Sequence, residues 1–195
     1  MSWKKTSLVI SLVVALSAAL GADGRIVPPA VPDYIQVDAG LRPFLRGHAV
    51  GTQNFICATA ATPYGFDWLF IGPQATVFDA DNEQILTHFH SQNPFPGAGI
   101  EATWQHSRDT SAVWATRVRG SLDSAYVSPG AIEWLLLRVT GKLVGPDGGD
   151  KLVRALFIHR VNTVGGMKPQ TAECNATTLN TRRLVPYEAD YYFYE

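Results

Sequence analysis

The chain has 195 residues, with 16 Lys and Arg against 17 Asp and Glu, a formal net charge of −1 and 46% hydrophobic residues. That length suits one domain with a real core, and the balanced charge leaves no basic excess to neutralise phosphates, which excludes ordinary nucleic-acid binding. Only two cysteines occur, Cys57 and Cys174, too few for a structural zinc site without further ligands.

The N-terminus reads as an export signal. Lys4 and Lys5 form a basic start, Thr6 to Leu20 is uncharged and apolar, and small residues around Ala19 and Gly21 place cleavage after Gly21. An uncleaved anchor is the alternative, but the apolar stretch falls short of the roughly 20 residues a bilayer span needs. No later run could cross a membrane as a helix. Removing residues 1–21 leaves residues 22–195 as one β-rich domain with a net charge of −3 and a secreted or periplasmic destination. In that oxidising setting the two cysteines are expected to form one disulfide, with two buried free thiols as the alternative.

Ile26 to Pro32 holds three prolines and reads as an extended lead-in. Val50 to Ala58 alternates with Phe55 and Cys57 on one face. Phe66 to Ile71 and Ala75 to Phe78 read as two strands split by Gly72-Pro73. After the turn at Asp79 to Asn82, Gln84 to His90 is a strand, and Ser91 to Ala102 is a loop by composition. Thr103 to Arg119 returns to β character. Ile132 to Val144 and Lys151 to Val164 form a hairpin about Gly145-Pro146-Asp147-Gly148-Gly149-Asp150. Leu135, Leu136 and Leu137 make one arm apolar on both faces, as in a doubly covered sheet. Pro129 after Ser128 leaves a short helix over Ile132 to Val139 as the alternative. Tyr187 to Tyr194 ends the chain as an aromatic edge strand. The fold class expected is all-β, a β-sandwich or partly closed barrel of about ten short, mainly antiparallel strands.

Several chemical motifs fail on context. Gly97 to Ala102 has the letters of a dinucleotide fingerprint but neither the strand before nor the helix after. Asp109-Thr110-Ser111 has the letters of an aspartic-protease triplet in a single copy. Asp79, Asp81 and Glu83 fall at calcium-loop spacing, yet Gln84 stands where the loop requires Gly. What remains is a set of polar and aromatic residues, His88, His90, Trp104, His106, Asp109 and Ser111, as candidate ligand-binding groups. On a strand His88 and His90 share a side, with Phe89 turned into the core. A suitable register would bring His106 beside them, and three imidazoles could then hold a metal ion; no metal and no cofactor is the preferred expectation. His159, inside an apolar strand, is expected to be a hydrogen-bonded core residue. Trp68, Trp104, Trp114 and Trp134 are expected mostly in the core, with any exposed subset able to stack on sugars.

The order of motifs also carries a resemblance. Gly51-Thr52-Gln53, Cys57, Trp68, Pro73-x-Ala75, a His ahead of Thr103-Trp104, Asp109-x-Ser111-x-Val113, Trp134 to Leu137 and Arg160 to Gly166 ahead of Cys174 resemble an uncharacterised family of secreted bacterial and fungal proteins, a domain of unknown function. Thr110 stands where that family usually has Gly, and the loop between His90 and Trp104 is longer. The resemblance implies export, the Cys57–Cys174 pair and one compact domain, and it transfers no catalytic residue. Some fungal relatives carry a malate dehydrogenase label, which no cofactor motif here supports. The function expected is a noncatalytic exported protein binding a small molecule, a glycan or a protein partner. A His-ligated metalloenzyme and a structural protein pairing through its C-terminal edge are the alternatives.

Overall fold

The computed structural model describes residues 25–195; the proposed signal segment, residues 1–21, lies outside the described residues. The chain is all-β. Eight strands run β1 (Pro43–Thr59), β2 (Phe66–Phe78), β3 (Gln84–Gln92), β4 (Ile100–His106), β5 (Ala112–Ser121), β6 (Trp134–Leu143), β7 (Phe157–Gly165) and β8 (Arg182–Tyr194). Each pairs antiparallel with the next, and β8 pairs back onto β1, closing a barrel.

Eight strands, not about ten, make this barrel, in part because an expected break does not break. Gly72-Pro73 lies inside β2, where the register slips opposite Asn54 and Phe55 and the strand runs on. Gly72 takes φ +128°, and a Cβ there would meet the His90 ring at 2.9 Å, so only glycine fits this bulge. β1 likewise extends over 17 residues, well beyond the run from Val50 to Ala58. The expected loop from Ser91 is shorter too, because Ser91, Gln92 and Ile100 to Ala102 pair across β3 and β4.

The C-terminal aromatic strand is not an edge. β8 lies between β1 and β7, so its backbone groups are paired on both sides and the strand offers no free ladder to another chain. Its alternation explains the tyrosines. Tyr187, Tyr191 and Phe193 face the barrel interior, against Leu86, Trp104 and Ile158. Tyr192 and Tyr194 face outward and are covered by the N-terminal lead-in, with Ile35, Trp134 and Leu136. Leu135 and Leu137 therefore belong to the interior and Leu136 to this second layer, which is why β6 is apolar on both faces. The arm expected from Lys151 begins later, since residues 151–154 form a turn that buries Leu152 before β7.

His159 joins the two layers. It is buried outside the barrel, and its Nε2–H donates to the Ile35 carbonyl at 2.7 Å. Burial holds its pKa below the ordinary value, so the ring is neutral and Nδ1 accepts from the Tyr194 hydroxyl at 2.9 Å.

Candidate functional site

An up-and-down barrel sends its connections alternately to the two ends. Residues 60–65, 93–99, 122–133 and 166–181 lie at one end; the turns at 79–83, 107–111 and 144–156 lie at the other. The first end carries the longer connections, and there Cys57 at the end of β1 is disulfide-bonded to Cys174, with Cα atoms 5.3 Å apart. Phe55, Trp68 and Val185 pack about that bond, and the Trp68 indole N–H donates to the Gln170 carbonyl.

Below these connections the barrel interior is not filled. A cavity of about 280 Å³ opens here, and all eight strands contribute to its lining. Eight strands leave an interior just wide enough either for side chains alone or for one small ligand. Here the side chains fill the lower half, while Ala102 and Ala115 leave space above Trp104.

The cavity wall is aromatic and nearly flat on one side. His88 stacks on Trp104, and Tyr191 meets both edge-on at 5.1 and 5.2 Å. Phe70 and His90, in edge contact at 5.3 Å, stand nearer the rim. The His88 pKa is pushed down to about 3, by burial first, with the Arg160 charge adding to it. His88 is therefore neutral, and its Nδ1–H donates to the Thr103 carbonyl at 2.9 Å. Burial also lowers the His90 pKa and raises those of Tyr187 and Tyr191, so both phenols stay protonated.

Three charged residues line the cavity, Glu101, Arg117 and Arg160. Glu101 is held by the Asn93 amide and the Thr140 hydroxyl. Arg117 makes a two-pronged ion pair with Glu133, both contacts at 3.0 Å. Arg160 has no carboxylate partner among the described residues; its Nε and Nη2 donate to the Glu133 carbonyl, at 3.3 and 3.0 Å, and the Tyr191 hydroxyl lies within its hydrogen-bonding reach. Nε1 of Trp104 is buried without a partner among the described residues, and the buried Gln53 amide lies beside the Tyr187 hydroxyl.

Of the residues singled out in the sequence, His88, His90 and Trp104 line this cavity. His106, Asp109 and Ser111 do not; they form the β4–β5 turn at the opposite end of the barrel. There Nδ1 of His106 accepts from the backbone N–H groups of Arg108 and Asp109, so the contact with the Asp109 carboxylate is not an ion pair. Asp109 in turn accepts from the Ser111 N–H and hydroxyl and from the Lys151 N–H, and the Ser111 hydroxyl accepts from the Leu152 N–H. That turn clasps the β6–β7 connection. Register explains the separation: His106 pairs with Leu86, whereas His88 pairs with Trp104, two residues further along. Among the described residues no three His, Cys, Asp or Glu side chains gather as a metal site. Phe89 also departs from expectation, since it faces outward, half-buried, while His88 takes the core side. None of Trp68, Trp104, Trp114 and Trp134 is exposed, so they offer no surface platform for a sugar.

Gln53, Arg160 and Tyr191 are the lining residues that residue-type reasoning passed over. The first two lie inside the Gly51-Thr52-Gln53 and Arg160 to Gly166 motifs, and a lone cation in a β run otherwise free of carboxylates was the available signal.

A family model described as a protein of unknown function, DUF3455, matches residues 38–195. No curated protein and no solved structure matches the chain. Among the described residues no helix is long and apolar enough to cross a membrane.

Proposed function

Because this chain belongs to the DUF3455 family, described as of unknown function, we propose from its own site that it is an exported binding protein holding one small molecule in the open end of the barrel. The observation that carries this reading is the cavity itself: about 280 Å³, bounded by every strand, with a His88–Trp104–Tyr191 aromatic wall and, in Arg160, a cation without a carboxylate partner among the described residues. Small-molecule sites are apolar pockets with a few fixed polar groups, and this lining has that composition.

Binding fits better than nucleophilic catalysis. The lining holds no serine, cysteine or aspartate, its one carboxylate, Glu101, is engaged by Asn93 and Thr140, and the buried His88 donates its proton to a backbone carbonyl. Export is supported by the basic and apolar N-terminal sequence and by the Cys57–Cys174 disulfide.

The test is native mass spectrometry of the exported protein after exposure to a small-molecule extract of its host medium, beside Ala102→Phe, which fills the cavity. A retained mass of small-molecule size in the unaltered protein, lost in the variant, is expected. Equal retention by both would place the ligand elsewhere and overturn the reading.

A further inference from the structure

We propose that the molecule held in this cavity is a monocarboxylate with a flat or unsaturated apolar body, and that the Arg160 guanidinium is its counter-ion. The inference rests on the cavity being a ligand site and goes on to give the ligand its charge.

The argument begins with the cost of the arginine. A charged side chain inside a barrel is expensive unless it is paired, and a guanidinium is never relieved by losing its proton. Arg160 stands on the inward face of β7, opposite Tyr191 of β8 and Leu135 of β6. Its neighbours are aromatic or aliphatic, and its hydrogen-bond partners, the Glu133 carbonyl and the Tyr191 hydroxyl, are both neutral. Among the described residues no carboxylate reaches this guanidinium, so its charge has only neutral acceptors.

The carboxylates nearest in the structure do not relieve it. The Glu133 carboxylate turns to Arg117, and Gly120 makes room for that pair, since a Cβ there would meet Glu133 at 2.1 Å. Glu101, at the rim, is engaged by Asn93 and Thr140. With Arg117 matched by Glu133, the remaining charge in this lining is one fixed cation beside one engaged carboxylate. A single oxyanion satisfies that cation. A phosphate would bring a second charge and a third oxygen for which the lining supplies no further cation.

The remaining surface sets the rest of the ligand. An aromatic or conjugated body matches the flat His88–Trp104 stack and the Phe70 ring. The volume, about 280 Å³, admits one or two rings or a short acyl chain and excludes a long lipid.

The test compares acids with their neutral amides on the unaltered protein by calorimetric titration. The pairs are trans-cinnamate with trans-cinnamamide, 2-naphthoate with 2-naphthamide, and 2,4-hexadienoate with 2,4-hexadienamide. At least one acid is expected to bind tighter than its amide by about tenfold or more, the usual gain of a charge-assisted bond over a neutral one. Arg160→Met should bring that acid down to its amide while leaving the amide's affinity unchanged. Because the acid–amide comparison needs no variant, poor folding of Arg160→Met leaves it decisive. Amides binding as well as acids would overturn the carboxylate assignment and leave the cavity reading standing. Failure of all six probes at millimolar concentration, with Ala102→Phe indistinguishable from the unaltered protein in the extract experiment, would overturn both.

Discussion

His88 lies flat on Trp104, ring centroids 4.1 Å apart and planes 10° from parallel, at the level where the barrel changes from packed core to open cavity. The pairing is set by register, since the two residues are directly opposed on β3 and β4 and both face inward. A neutral imidazole packs there as an aromatic; an imidazolium would be an unpaired charge beside Arg160.

Acid should therefore destabilise the fold through its histidines. The unfolded His88 takes up a proton near pH 6.5, whereas the folded one resists until about pH 3. Between those values the unfolded state binds more protons, so stability is full above pH 6.5 and falls as pH drops towards 3. His90, His106 and His159, all lowered by burial, add to the same slope. His48 works the other way. Its bond to Asp190 raises its pKa, so its contribution is complete below pH 6.5 and is lost as pH rises through the folded value. Urea unfolding at pH 7.0 and 4.5 should show a lower midpoint at 4.5. His88→Phe should shrink that difference by about 2–3 kcal/mol. An unchanged slope in the variant would mean that His88 is not the buried neutral group.

The Cys57–Cys174 bond closes a separation of 117 residues and joins the end of β1 to the connection before β8. In the chain-entropy account a loop of that length is worth about 5 kcal/mol, and removal of native disulfides typically costs about 2–5 kcal/mol. Cys57→Ser/Cys174→Ser should lower the thermal midpoint by a corresponding amount. Trp68, packed on the bond, should show a red-shifted emission. A midpoint within a degree or two of the unaltered protein would contradict this role.

The all-β class, the disulfide pair and the burial of Trp104 were legible because each follows from local rules, whereas His88 takes the core side expected for Phe89. Alternation gives faces, two cysteines allow one pairing, and a doubly apolar run such as Leu135 to Leu137 announces two covers. Closure was not legible to the same degree. The Tyr187 to Tyr194 run looks like an edge until β1 and β8 are known to pair, and that contact joins the two ends of the domain. The site divided for the same reason. His88 and His106 are both on inward faces, and only the β3–β4 register reveals that they look into opposite ends. Arg160 is visible in sequence as a cation in an apolar strand, but its lack of a carboxylate depends on Glu133 choosing Arg117, a tertiary fact.

The turn between β4 and β5 gives the last prediction. Thr110 has φ +59°, the left-handed region, where a β-branched residue is crowded by its own backbone. The turn geometry imposes this: the Thr110 N–H donates to the His106 carbonyl while Asp109 holds Ser111 and Lys151. The threonine hydroxyl recovers part of the cost by donating to the Asp109 carbonyl at 2.8 Å. Glycine would remove the crowding, worth about 1–2 kcal/mol, and would lose that local bond while adding freedom to the unfolded chain. The balance favours Thr110→Gly by about 0.5–1 kcal/mol. Thr110→Ala, which keeps the crowding and deletes the hydroxyl, should be neutral or slightly destabilising. Chemical denaturation of the three proteins at neutral pH separates these outcomes. Alanine stabilising as much as glycine would show that the hydroxyl, and not the backbone angle, is the unfavourable feature of this turn.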